Sequence, residues 1–289
     1  MIKGIIPALV TPLNEDESVR IDTVTRLIID LSAQGADGFY IGGATGEGLA
    51  LRTEEREILT EAAVAAASEN KGVIVQVAST NYADMLMLAR HAEEKGASAV
   101  SATAPLFFKY DEDDVYNYYK RLAEAVHIPV MVYYNPSANF PMSAEFAKRL
   151  FEIDNVTAIK WTSTDFYGLA RLKDITNGEM TVMNGFDEML LSGLSAGADG
   201  GIGTTYNYAL RHVRRIYDSF IKNDMADALI SQKKIAAFVA ALNGDPIIPA
   251  SKALLEGMGY AVGNATFPMR RYSPEKKQEL YRRLFPLVQ

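Results

Sequence analysis

The chain has no cysteine, and its only histidines are His91, His127 and His212, scattered through helical patterns. Without thiols there is no disulfide framework and no thiolate metal site, and so little imidazole leaves only carboxylates to bind an ion. Neither a metal centre nor a cysteine nucleophile is expected. Apolar runs are short, none approaching the roughly 20 residues that a membrane helix needs. The opening Met1-Ile-Lys-Gly4 passes almost at once into a strand pattern and lacks a signal-peptide layout, so the reading is a cytoplasmic protein without a membrane partner. Positive charge is not massed: 29 Lys and Arg face 36 Asp and Glu, for a formal net charge of −7. The short Arg211/Arg214/Arg215 and Arg270-Arg271 groups suit solvated helix faces or subunit contacts better than a nucleic-acid footprint. A Gly-rich phosphate fingerprint after the first strand is also missing, which speaks against an open doubly wound sheet.

What is present is repetition. Gly35-Ala-Asp-Gly38, Gly96-Ala-Ser-Ala99 and Gly197-Ala-Asp-Gly200 each follow an Ala/Leu-rich helical stretch and precede a short apolar strand. Glycine just past a helix supplies the left-handed cap from which the chain turns into the strand. Apolar strand patterns fall at 4–11, 38–42, 73–78, 98–103, 129–134, 156–161, 180–184 and 198–203, with amphipathic helix patterns between and after them. Eight strands alternating with helices give the α/β class, read as a (β/α)8 TIM barrel over residues 1–224 with a C-terminal helical extension over 225–289.

Chemistry in such a barrel gathers at the C-terminal strand ends and the loops that follow. Strand six ends in Ile159-Lys160-Trp161-Thr162, where side chains alternate and Lys160 shares a face with Ala158 and Thr162. A lone amine in an apolar strand is hard to explain as structure. Burial disfavours the ammonium form, and the freed amine is the nucleophile that Schiff-base chemistry requires. The alternative is a strand-end lysine snorkelling to water. After strand two, Gly42-Gly-Ala-Thr-Gly-Glu47 bares backbone N–H groups to which a carboxylate would fit, with the following helix adding its positive end. The same loop also reads as a plain connection, with Glu47 capping or buttressing it. Tyr133, at the end of strand five, is either a packed aromatic or a proton carrier beside the amine.

Taken together these segments resemble the pyruvate-dependent class I aldolase and lyase family that includes N-acetylneuraminate lyase and dihydrodipicolinate synthase. The resemblance spans nearly the whole chain, and its markers are Gly42-Gly-Ala-Thr-Gly-Glu47, the Tyr133…Pro136 segment, Ile159-Lys160-Trp161-Thr162-Ser163 and residues 197–207. It implies a barrel, a homotetramer built as a dimer of dimers, a 2-keto acid substrate, and no cofactor beyond a covalent imine on Lys160. Tyr133 is similar to the tyrosine that moves protons; it stands four residues after Pro129 and three before Pro136, which prefers it over Tyr134. Ala44 and Thr45 fall on the pair that binds the keto-acid carboxylate, and Thr162 lies beside the lysine. Gly185, Asp187, Glu188 and Thr204 match positions by which N-acetylneuraminate lyase grips the hydroxyls of its sugar acid, although Asp187 and Glu188 also suit a helix start.

Three departures from the family pattern stand out. Ala138 occupies the region where dihydrodipicolinate synthase carries an arginine for its second carboxylate, in a segment one residue short. Ala44 replaces a relay hydroxyl, and Phe107 stands where a tyrosine from a neighbouring subunit usually arrives. The leading expectation is a lyase splitting an N-acetylneuraminate-like sugar acid into pyruvate and an aldehyde of the N-acetylmannosamine type. An aldolase or dehydratase for another 2-keto-3-deoxy acid, a dihydrodipicolinate synthase-like paralogue, and a non-enzymatic keto-acid-binding scaffold are the alternatives.

Overall fold

In the computed structural model, which describes residues 1–67, 71–136 and 140–289, Gly35, Gly96 and Gly197 have φ of 99°, 88° and 102°. These left-handed positions end the helices before them and turn the chain into the next strand. The strands are β1 (Gly4–Pro7), β2 (Gly38–Ile41), β3 (Gly72–Gln76), β4 (Ala99–Thr103), β5 (Val130–Tyr134), β6 (Val156–Trp161), β7 (Thr181–Asn184) and β8 (Gly200–Gly203). Alternating with them are α1 (Ile21–Ala33), α2 (Thr53–Ala66), α3 (Tyr82–Glu94), α4 (Glu112–Ala123), α5 (Ala144–Phe151), α6 (Phe166–Ile175), α7 (Leu190–Ser195) and α8 (Tyr206–Ile221).

All strand pairs are parallel, in the order β1-β8-β7-β6-β5-β4-β3-β2. The remaining seam is joined by a single bridge, Ala8 to Tyr40, with Leu9 N–H donating to the Tyr40 carbonyl at 2.8 Å. Asn207 straps the same region, donating to the Ala8 carbonyl at 2.7 Å and accepting from Val10 N–H at 3.2 Å. The result is a TIM barrel.

Period-two alternation divides the core in two. Each strand sends one residue to a small inner cluster of Ile6, Tyr40, Ile74, Ala99, Met131, Ala158, Met183 and Ile202, while a larger cluster fills the layer between sheet and helices. Ile159 and Trp161 belong to the outer layer, and Trp161 packs on Tyr134 with ring centroids 4.6 Å apart. Tyr134 therefore faces the helices.

Two strands are shorter than the pattern suggested, by two residues or more. The first ends at Pro7, beyond which only the Ala8 bridge continues the pairing. The eighth begins at Gly200 because Gly197 is a helix cap and the Asp199 carboxylate accepts from Val182 N–H at 2.9 Å and from Lys173. His127 lies in the turn between α4 and β5 rather than on a helix.

After the barrel come α9 (Met225–Ala241), α10 (Ile247–Gly257) and α11 (Pro274–Leu284). Phe238 on α9 packs against Tyr208 of α8 at 5.0 Å between rings. Gln232 accepts from Leu191 N–H at 2.8 Å and donates to the Asp187 carbonyl at 3.1 Å, pinning α9 over the turn that follows β7. Among the described residues no helix is long and apolar enough to cross a membrane.

Candidate active site

Lys160 leaves the C-terminal end of β6 on the inward face set by Ala158, and only 5% of its surface meets solvent. Its Nζ lies 4.4 Å from the ring centroid of Tyr133 and 4.7 Å from that of Tyr40. Tyr133 is the register partner of Lys160 across the β5–β6 pair, which is why the ring and the amine meet. The two tyrosines differ in what holds them. Tyr40 donates to Ser101 Oγ at 3.1 Å, and burial pushes its phenol well above the usual range, so it stays protonated. Tyr133 instead lines the open cavity.

That cavity, about 230 Å³, sits at the barrel mouth and brings together the nine candidate catalytic and substrate-binding residues: Ala44, Thr45, Tyr133, Lys160, Thr162, Gly185, Asp187, Glu188 and Thr204. Thr45 and Thr204 reach across from the loops after β2 and β8 and share a hydrogen bond of 2.6 Å. Thr162 Oγ1 is buried and has no hydrogen-bond partner among the described residues. Clefts of about 730 and 590 Å³ lie elsewhere, the first among residues 13–20 and the segments around α10 and α11, the second between α4 and the turn before β6. Neither includes Lys160, and in the first the charged walls are taken up by the Arg271–Glu17 and Lys277–Glu256 ion pairs.

The segment after β7 is a short 3-10 helix, Asp187–Met189, set by Asn184 donating its side-chain amide to the Phe186 carbonyl at 2.7 Å. Asp187 Oδ2 accepts from Thr205 N–H at 2.6 Å, so its carboxylate holds the start of α8 as well as lining the cavity. Burial pushes this carboxyl up to about 6, aided by the charge of Glu188 and opposed by the Thr205 bond and by Lys160. Gly203 is required here, because a side chain on β8 at that point would collide with the Asp187 carboxylate. Asp187 is thus part anchor and part cavity wall: it does not cap the short helix that it opens, and it braces the start of α8 from across the site.

The glycine loop after β2 does not run into a helix start. Gly42 and Glu47 have φ of 65° and 57°, and α2 begins only at Thr53, so the loop has no helix end behind it. Glu47 buttresses it instead, accepting from Thr266 N–H at 2.6 Å and pairing with Lys252 Nζ at 2.6 Å. Ala138 lies outside the described residues. Phe107 is 91% exposed with φ of 77°, a left-handed aromatic that does not line the cavity.

Sequence reasoning missed several of the groups around Lys160 and its cavity. Tyr40 had a usable signal, its inward parity in the second strand pattern. Val239, Ile247 and Ile248, from α9 and α10, close one side of the cavity with aliphatic surface, and no local pattern marks them. Among the described residues no group of three His, Asp or Glu side chains is placed to hold a metal ion.

Comparison with known proteins agrees with this geometry. Residues 1–285 match the model of the Dihydrodipicolinate synthetase family. The chain belongs to that family. It is 32% identical over 270 residues to the N-acetylneuraminate lyase of Rhizobium meliloti, covering 93% of this chain and 90% of that one. The crystal structure of CdNal from Clostridium difficile in complex with mannosamine superposes with a TM-score of 0.93 at 29% identity, over 99% of this chain and 100% of that one. The N-acetylneuraminate lyase of Proteus mirabilis does so with a TM-score of 0.94 at 28% identity, over 99% and 98%. Within this family, the chain combines Ala44 and Phe107 with the Lys160–Tyr133 pair.

Proposed function

We propose that this protein is a Schiff-base-forming class I aldolase that cleaves an N-acetylneuraminate-like sugar acid to pyruvate and an aldehyde of the N-acetylmannosamine type. The observation that carries the reading is a buried lysine amine between two tyrosine rings, in one cavity with paired carboxylates. The Lys160 amine adds to a 2-keto group, and the carbinolamine hydroxyl leaves as water with a proton from Tyr133, giving an iminium and a tyrosinate that recovers its proton when the last iminium is hydrolysed. The iminium draws electrons from the C3–C4 bond as Tyr133 takes the proton of the C4 hydroxyl, leaving an enamine and a free aldehyde. Tyr133 then returns that proton to C3, and water releases pyruvate and the Lys160 amine.

The remaining roles follow from position. Ala44 and Thr45 bind the keto-acid carboxylate through the loop backbone and the Thr45 hydroxyl, and Thr162 sits beside the imine. Gly185, Asp187, Glu188 and Thr204 receive the hydroxylated tail, with Asp187 suited to exchange hydrogen bonds because its carboxyl titrates near 6. The reaction uses no metal or organic cofactor, since the protonated imine itself is the electron sink. We assign the enzyme to the cytoplasm as a homotetramer, with exposed Phe107 and Phe108 as subunit contacts, and divide it into a barrel over 1–224 and a helical extension over 225–289. The relatives named N-acetylneuraminate lyase and the mannosamine-bound neighbour support the substrate class.

One observation favours a second substrate, another 2-keto-3-deoxy acid. Val239, Ile247 and Ile248 make one wall of the tail region apolar, which suits a less hydroxylated chain. Borohydride reduction with pyruvate, followed by intact-mass analysis, tests the chemistry. A reduced adduct at Lys160 is expected, and its absence in the folded protein overturns the reading. Pyruvate release across N-acetylneuraminate and 2-keto-3-deoxy sugar acids then separates the two substrates.

A further inference from the structure

A second cavity, about 210 Å³, lies on the other side of Tyr133 from the tail region, and Ala44 and Tyr133 form part of both. Its polar wall comes from Gln76, Thr103 and Asn135. Thr103 ends β4 on the inward face: Ala99 joins the inner cluster, Ser101 accepts from Tyr40, and Val100 and Ala102 lie in the outer layer. It is also the register partner of Tyr133 across β4–β5. Thr103 is 7% exposed, and its Oγ1 has no hydrogen-bond partner among the described residues. A buried hydroxyl left unpaired costs stability, so the part of this mainly apolar cavity where Thr103, Gln76, Asn135 and Tyr133 converge is a place for water. The space holds several waters at about 30 Å³ each. The neighbouring groups are less able to serve. Gln76 Oε1 already accepts from the buried Arg56 at 3.2 Å, and Ala44 carries no hydroxyl.

We propose that Thr103 is a positioning residue for catalysis, holding a cavity water that donates a hydrogen bond to the Tyr133 phenolic oxygen. The inference rests on the aldolase reading above, in which Tyr133 takes and returns one proton. The oxygen carries negative charge whenever that proton is away, and a water fixed by Thr103 stabilises it without joining the covalent chemistry. No atom is gained or lost in the relay: the proton moves from the C4 hydroxyl to Tyr133 and from Tyr133 to C3, while the water and Thr103 keep theirs.

The test needs no knowledge of the aldehyde. Pyruvate methyl protons exchange with D2O through the same enamine and the same tyrosine, and exchange is read by NMR beside borohydride trapping. In Thr103→Val, trapping at Lys160 and the KM for pyruvate should match the wild type, while exchange slows about ten- to a hundred-fold, the effect of losing one hydrogen bond to a charged group. Folding stability should be unchanged or raised, since an orphaned hydroxyl is removed. Thr103→Ser should return exchange to within about three-fold of wild type. Unchanged exchange in Thr103→Val, with trapping intact, overturns the proposal and leaves the aldolase reading standing. Parallel losses of trapping, KM and exchange in Thr103→Val also overturn it, by making the residue structural. Absence of trapping in the wild type overturns the aldolase reading itself. If Thr103→Val does not fold, Thr103→Ser against Thr103→Ala carries the same comparison: equal exchange in the two sinks the proposal.

Discussion

Lys160, 5% exposed at the end of β6, and Lys252, 1% exposed within α10, are two buried amines with different surroundings. Lys252 Nζ meets Glu47 Oε1 at 2.6 Å and donates to the Asn264 carbonyl at 2.9 Å. Burial pushes its amine below the usual lysine range, and Glu47 opposes that shift. Lys160 has aromatic faces on two sides and, among the described residues, no carboxylate within ion-pair distance. A buried amine locked to a carboxylate works as a clamp, here tying the loop of residues 42–47 to the C-terminal segment. One that faces a cavity between two rings, with no carboxylate to hold it, is left able to meet a ligand in that cavity. Surrounding groups, more than depth, distinguish the clamped lysine from the one proposed to react.

The sharpest way to break this comparison is to remove each amine in turn. Lys160→Ala should abolish both adduct formation and turnover while leaving the thermal midpoint at or above that of the wild type, because the lost amine had no ionic partner. A large fall in midpoint would place Lys160 with Lys252 as a structural group. Lys252→Met should do the reverse, lowering stability by about 3–5 kcal/mol in denaturant titration, since it strands the Glu47 charge. The double variant Lys252→Met with Glu47→Gln should recover part of that loss, because a neutral amide keeps the bond to Thr266 without a buried charge. Loss equal to or greater than that of Lys252→Met alone would remove the clamp from the account.

Asp187 extends the comparison to an acid. Its folded-state carboxyl titrates near 6, above the value of 3.8 for a free aspartate, so the fold binds the proton more tightly than the unfolded chain does. Its contribution therefore favours folding at low pH, is lost as pH rises between those two values, and stays lost above 6. Asp187→Asn, which can still accept from Thr205, should raise the thermal midpoint at pH 7 relative to the wild type and show little difference near pH 4. A stabilisation independent of pH would sink the assignment. The smallest expected effect belongs to Thr45→Val, which removes the bond to Thr204. About 1 kcal/mol should appear as a several-fold rise in KM for the keto acid, with the imine still trapped.

The alternation around Lys160 was readable because a strand repeats every two residues whatever surrounds it, and the register of β5 with β6 then set Tyr133 beside the amine. Helix-ending glycines were readable for the same local reason: only glycine takes φ near 100° without strain. Helix starts were less transparent. The stretch after Gly42 looked like a loop leading straight into a helix, but Thr53 begins α2, because Glu47 is drawn instead to Thr266 and Lys252. Asp187 looked like either a cap for the helix after β7 or a sugar contact; that helix has no side-chain cap, and the carboxylate accepts from Thr205 N–H at the start of α8 while lining the cavity.

By itself, then, the sequence determined the eight-fold alternation, the inward face of each strand and the amine at the end of the sixth, since all three depend on backbone periodicities that operate over a few residues. Only the tertiary structure decided that Lys252 is neutralised by Glu47, that Thr103 Oγ1 lacks a partner among the described residues, and that Val239, Ile247 and Ile248 line the cavity. Those relations join segments far apart in the chain. Closure of the barrel and docking of its helices bring them together, and no local pattern encodes which side chains will then meet.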